Sequence, residues 1–141
     1  MHQQLLAFVV ATFLAALPVR AGAKRFLCCD YPSGQVCIVS AQGEIEWRAT
    51  AKNPQDCWLL PNGNVLFCHL NGAVEMTREN KIVWEYKAPE KIECHACQPL
   101  PDGRVLVVEG GTARIIEVGR DGKIAKEVKL ATTVKNGDRK S

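Results

Sequence analysis

Beyond one stretch near its start, the 141-residue chain has no long apolar run, and its aromatic content is only 6%. Its net charge of +3, from 18 Lys+Arg and 15 Asp+Glu, is too small to make the basic surface of a nucleic-acid binder. The chain carries no Gly-rich phosphate loop, no Asn-x-Ser/Thr acceptor, no hydrolase elbow and no low-complexity tract. Past the first segment, helical periodicity is missing as well. What remains is a globular composition, 47% hydrophobic and 23% charged, with 11 glycines and 7 cysteines.

The apolar stretch, Leu5 to Val19, is shorter than the ~20 residues of a spanning helix and contains Pro18. Arg20-Ala21-Gly22-Ala23 follows it in the manner of a small-residue cleavage site. Residues 1–23 therefore read as a secretory signal peptide, which predicts an exported, periplasmic or extracellular protein with no membrane attachment beyond that signal. All seven cysteines follow it, so disulfides are plausible in an oxidising compartment, and the odd count leaves at least one thiol unpaired.

The most informative feature is an internal repeat. Leu60-Pro61-Asn62-Gly63-Asn64-Val65-Leu66-Phe67 returns as Leu100-Pro101-Asp102-Gly103-Arg104-Val105-Leu106-Val107. Gly43-Glu44-Ile45-Glu46-Trp47 returns as Asn80-Lys81-Ile82-Val83-Trp84, and more faintly as Asp121 to Lys126. A period of about 40 residues built from short strands marks propeller blades. The predicted fold is all-β: a partial β-propeller of about three antiparallel four-stranded blades. Strands are expected near 25–31, 35–41 and 44–50, then 55–61, 64–70, 73–79 and 81–87, then 94–101, 104–110, 113–119 and 123–130. Aligning Phe26-Leu27-Cys28-Cys29-Asp30 with Val65-Leu66-Phe67-Cys68-His69 shows that the first blade lacks its inner strand. Residues 24–130 make up the repeats, and 131–141 form a short polar tail.

The Leu-Pro-Asn/Asp-Gly hairpin followed by Gly-x-Ile-x-Trp resembles the repeats of secreted bacterial propellers of the quinoprotein, or PQQ-like, type. That resemblance implies a rigid scaffold used by enzymes and binding proteins alike. Closed propellers need ~4–8 blades. This chain is therefore expected to associate with itself or another propeller-containing chain, or to be a shortened relative of a larger propeller. A quinone cofactor would need ligands from a full ring, so none is expected.

Cys94-His95-Ala96-Cys97 has the residue types of a metal or redox site, but strand alternation turns Cys94 and Cys97 apart and no second cluster completes a metal shell. No metal is expected there. If Asn62-Gly63 is a two-residue turn, Cys57 faces Cys68; if Pro32-Ser33-Gly34 is a three-residue loop, Cys29 faces Cys37. Each is a candidate disulfide, with buried reduced thiols as the alternative. His95, at the start of an inner strand, resembles the histidine preceding this hairpin in bacterial arylsulfotransferases, where it accepts the sulfuryl group. Such chemistry needs a free imidazole nitrogen and neighbouring cations, for which Lys91 and Arg104 are close in sequence. Asp56 and Gln98, on inner strands, are candidate ligand-binding groups beside His95. Trp47 and Trp84 are expected to pack between blades. The expected role is non-catalytic binding or assembly, with an arylsulfotransferase-like enzyme using His95 as the alternative.

Overall fold

The computed structural model describes residues 24–131; the apolar leader and the tail from 132 onward lie outside the described residues. Eleven strands run in chain order: β1 (Phe26–Asp30), β2 (Gln35–Val39), β3 (Ile45–Thr50), β4 (Asp56–Leu59), β5 (Val65–His69), β6 (Gly72–Met76), β7 (Ile82–Lys87), β8 (Cys94–Pro99), β9 (Val105–Glu109), β10 (Arg114–Val118) and β11 (Ile124–Lys129). They form three antiparallel sheets in simple meander order, β1-β2-β3, β4-β5-β6-β7 and β8-β9-β10-β11, here called blades 1, 2 and 3. This is a partial all-β propeller in which blade 1 has three strands and blades 2 and 3 have four.

The hairpins share one turn chemistry. Leu60 N–H donates to Asn64 O at 2.9 Å and Gly63 N–H to Leu60 O at 2.9 Å; Leu100, Gly103 and Arg104 repeat the pattern at 2.8 and 3.0 Å. Each loop thus has three residues ending in a left-handed glycine, with φ of 85° at Gly63 and 86° at Gly103. The side chains of Asn62 and Asp102 accept from the backbone N–H two residues on, at 3.0 and 3.1 Å, which fixes each turn locally.

The third loop residue corrects the expected cysteine register. Cys57 lies opposite Phe67, and Asp56 opposite Cys68, so Cys57 and Cys68 project from opposite faces of blade 2. Blade 1 shows the same slip for a parallel reason. Its β1–β2 loop spans four residues, Tyr31 to Gly34, which sets Cys28 opposite Cys37 and Cys29 opposite Val36. Neither Cys57–Cys68 nor Cys29–Cys37 has disulfide geometry, and all seven thiols are free in the structure.

Two apolar layers hold the blades together. Val36, Ile38, Trp47 and Ala49 of blade 1 pack on Val65, Phe67 and Val74 of blade 2. Leu66, Cys68, Ala73, Trp84 and Tyr86, on the other face of blade 2, pack on Cys94, Cys97, Val105, Val107, Ile116 and Val118 of blade 3. Blade 2 is buried on both faces, which is why β5 and β6 read as continuous apolar runs rather than alternating ones. Trp47 and Trp84 sit at matching places in the two layers, only 6% and 4% exposed. Each indole is covered by the guanidinium of an arginine from the next blade, Trp47 by Arg78 of the β6–β7 loop at 5.6 Å and Trp84 by Arg120 of the β10–β11 loop at 5.7 Å.

Candidate functional site

The inner strands β4 and β8 begin at one end of the blades, the end that also carries the β5–β6 loop and the 88–93 connection. His95 is placed there by an irregularity in β8. Cys94 pairs with Glu109 and Ala96 with Val108, so His95 is an extra residue without a partner on β9. Such a bulge bends a strand and re-aims the side chain it carries. His95 is exposed, and its Nδ1 bonds Gln55 Oε1 at 2.8 Å. Because the amide oxygen can only accept, Nδ1 is the donor in this contact. Gly110 closes the other side of the ring. A Cβ there would come within 2.2 Å of His95 Nε2, so only a glycine lets the imidazole lie across the β9–β10 loop.

At the same end of the blades, on the β6–β7 side of blade 2, His69, Asn71, Glu85, Lys87, Ala88, Pro89, Glu90 and Lys91 line an open cleft of about 570 Å³. His69 Nδ1 accepts the Asn71 N–H at 3.3 Å. Burial pushes the His69 imidazole below its ordinary pKa, against the opposing pull of Glu85, so it is the neutral form that the site holds. Lys87 pairs with Glu85 at 3.3 Å, leaving the cleft mixed in charge rather than cationic.

The remaining sequence candidates fall elsewhere. Asp56 is not a free ligand group: its Oδ2 accepts the Cys97 N–H at 3.0 Å and the Trp58 Nε1–H at 3.4 Å, tying blade 2 to blade 3. Gln98 is exposed on β8, opposite Leu106. Arg104 lies beyond the far end of β8 from His95, where it is held by Asp102 and by Glu117 at 2.6 Å. Of the two cations named for sulfate chemistry, only Lys91 shares the His95 end. Among the described residues there is no cluster of three or more metal-ligating side chains.

At the opposite end, Leu60, Leu66, Pro99, Leu100 and Arg120 line a smaller, apolar cleft of about 300 Å³ between blades 2 and 3. Its floor is the buried Glu75, which accepts from Asn62 at 3.1 Å, Asn64 at 2.7 Å and Arg120 at 2.7 Å. Burial raises the cost of this charge, yet the bonds from Asn64, Arg120 and Asn62 outweigh it and hold the carboxyl below the usual range. Glu109 is anchored likewise by Arg114, Tyr86 and Thr112 against the penalty of burial. Both carboxylates are therefore inter-element links rather than reactive groups. Gln55 and Glu75 were missed by the sequence reading. Gln55 was findable as the one-repeat equivalent of His95, whereas Glu75 carries no signal until Arg120 is brought over it.

These features define a β-propeller-type protein. No protein-family model and no curated protein matches the chain. Solved structures do. A protein of unknown function from Bacteroides caccae superposes with a TM-score of 0.67 at 24% identity, covering 77% of this chain and 42% of that one. A catalytically inactive His→Ala variant of virginiamycin B lyase from Staphylococcus aureus, solved with quinupristin, gives 0.61 at 22% identity over 83% and 44%. A streptogramin B lyase gives 0.61 at 18% identity over 80% and 39%. The chain thus spans less than half the length of the propellers it resembles.

Proposed function

We propose that the chain is an exported propeller module whose work is binding and assembly, with a second copy or another propeller chain continuing the ring. The observation that carries this reading is the outer face of blade 3. The positions filled by buried Trp84 and Tyr86 in blade 2 are filled there by Lys126 and Val128, and Val128 is 46% exposed. Strand β11 is exposed along its whole length, and Leu130 extends the apolar surface. At the other end, among the described residues β1 pairs only with β2, on the edge where blades 2 and 3 have an inner strand. The hairpin motif supports a repeat of the PQQ-like type, and the leader 1–23 supports export. Light scattering on the chain eluting from a sizing column tests the assembly directly. A discrete dimer or larger oligomer is expected, reduced to monomer by Val128→Asp; a monomeric wild type would contradict self-assembly and leave only another propeller chain as the partner.

One observation favours a second reading, an enzyme using His95: Gln55 orients its exposed imidazole through Nδ1, as a catalytic base or nucleophile requires. An aryl sulfate donor and a streptogramin B offered separately test this. Turnover lost in His95→Ala would establish catalysis; no turnover by the wild type would exclude both substrates.

A further inference from the structure

Four of the seven cysteines sit at two repeat-equivalent places across successive blade boundaries. Cys29 on β1 and Cys68 on β5 occupy the same strand position one blade apart, facing Val36 and Ala73 across their hairpins. Cys57 on β4 and Cys97 on β8 are likewise equivalent, each lying opposite the second core residue of its neighbour, Phe67 or Val107. Strand β1 packs on β4, and β5 packs on β8. Cys29 and Cys57 pack against the blade 1–blade 2 layer, and Cys68 and Cys97 belong to the blade 2–blade 3 layer. Across each boundary the two thiols lie against the same layer, near enough for each to perturb the ionisation of the other. The third blade carries Val108 at the position of Cys29 and Cys68, on the face where no described blade follows.

We propose that Cys29–Cys57 and Cys68–Cys97 are disulfide-forming pairs that staple blade 1 to blade 2 and blade 2 to blade 3. The other three cysteines are placed differently. Cys28 and Cys37 face each other on β1 and β2, but the Cys28 thiol bonds the Cys37 backbone, and Cys37 Sγ is turned to Gln35 Oε1 at 3.8 Å. Cys94 is buried without a thiol partner, and burial pushes it up to about 12. In the stapling pairs, by contrast, the neighbouring thiol favours ionisation of one sulfur over the other despite burial, which supplies the thiolate that exchange requires.

The oxidant is a low-molecular-weight or protein disulfide. The Cys57 thiolate attacks one of its sulfurs, forming a mixed disulfide and releasing one thiol. Cys29, losing its proton, then attacks the Cys57 sulfur and releases the second thiol. Each staple costs the chain two protons and two electrons, and the oxidant's S–S bond becomes two thiols.

The test is to equilibrate the whole chain with oxidised and reduced glutathione, alkylate the remaining thiols and map the peptides without reduction. Trypsin alone leaves Cys57 and Cys68 on one peptide, so chymotrypsin is added to cut between them. Cross-links Cys29–Cys57 and Cys68–Cys97 are expected, with Cys28, Cys37 and Cys94 alkylated and a lower urea midpoint after reduction. In Cys57→Ser, Cys29 should become alkylated while Cys68–Cys97 persists, which separates pairing from misfolding. A Cys28–Cys37 cross-link in place of these, or alkylation of all seven thiols after oxidation, would overturn the proposal. So would tight retention of zinc by the four thiols.

Discussion

At the scale of single residues, matching positions in the repeat differ in ways that stability measurements can read. Trp84 Nε1–H donates to Gly119 O at 2.8 Å, whereas the buried Nε1–H of Trp47 has no partner among the described residues. Trp84→Phe should therefore cost about 1 kcal/mol more than Trp47→Phe, because it also removes a hydrogen bond to the Gly119 carbonyl, which keeps only the Gly122 N–H. Urea unfolding of the two variants measures the difference, and equal costs would show that the indole bond contributes nothing. The buried carboxylates set the acid limit. Glu75 and Glu109 both have lowered folded pKa values, so they bind protons more weakly in the folded chain than in the unfolded one. Their contribution is complete above the ordinary glutamate pKa of ~4.3 and is lost as pH falls below it through the folded values. The thermal midpoint should drop through that range, with a shallower drop in Glu75→Gln; a milder fall that starts nearer neutrality belongs to His69, whose lowered pKa lets the unfolded chain bind a proton first. An acid limb unchanged in that variant would contradict the assignment.

At the scale of the element, the hairpins carry most of the lesson. The repeat of Leu-Pro-Asn/Asp-Gly located the β4–β5 and β8–β9 hairpins, and with the Gly-x-Ile-x-Trp repeat all eleven strands to within a few residues. What the dipeptide Asn62-Gly63 could not convey was the length of the loop. Asn-Gly suits a two-residue turn, but here Pro61 joins the loop and Gly63 takes the left-handed position that ends a three-residue one. One residue of slip sends every side chain to the other face, so the blades were legible while the cysteine partners were not. His95 tells a similar story: its strand was readable, but the bulge that turns it toward Gln55 depends on the pairing of β8 with β9. The glycines then separate two kinds of constraint. At Gly63, an added Cβ meets nothing within 4 Å, so Gly63→Ala should cost only the ~1–2 kcal/mol of a left-handed alanine. At Gly72 the same Cβ would sit 1.9 Å from the Tyr86 carbonyl oxygen, and Gly72→Ala should be severalfold worse in the same urea assay. Similar costs at both sites would mean that β6 and β7 lie farther apart than described.

At the scale of the whole molecule, three blades with two well-filled layers between them stand against outer surfaces that are less finished. Blade 2 is enclosed on both faces, while β1 lacks an inner strand and β11 is exposed throughout. A blade face built to the same repeat, with apolar Leu106, Val108, Ile115 and Val128 on it, is a surface suited to another blade. The central claim is that this face and the β1 edge are where the chain meets its partner. Hydrogen exchange measured at two well-separated protein concentrations tests it most directly. The account predicts that amides of β1 and β11 gain protection as concentration rises, while those of β5 and β6 are equally protected at both. Exchange in β1 and β11 that is fast and indifferent to concentration would contradict it.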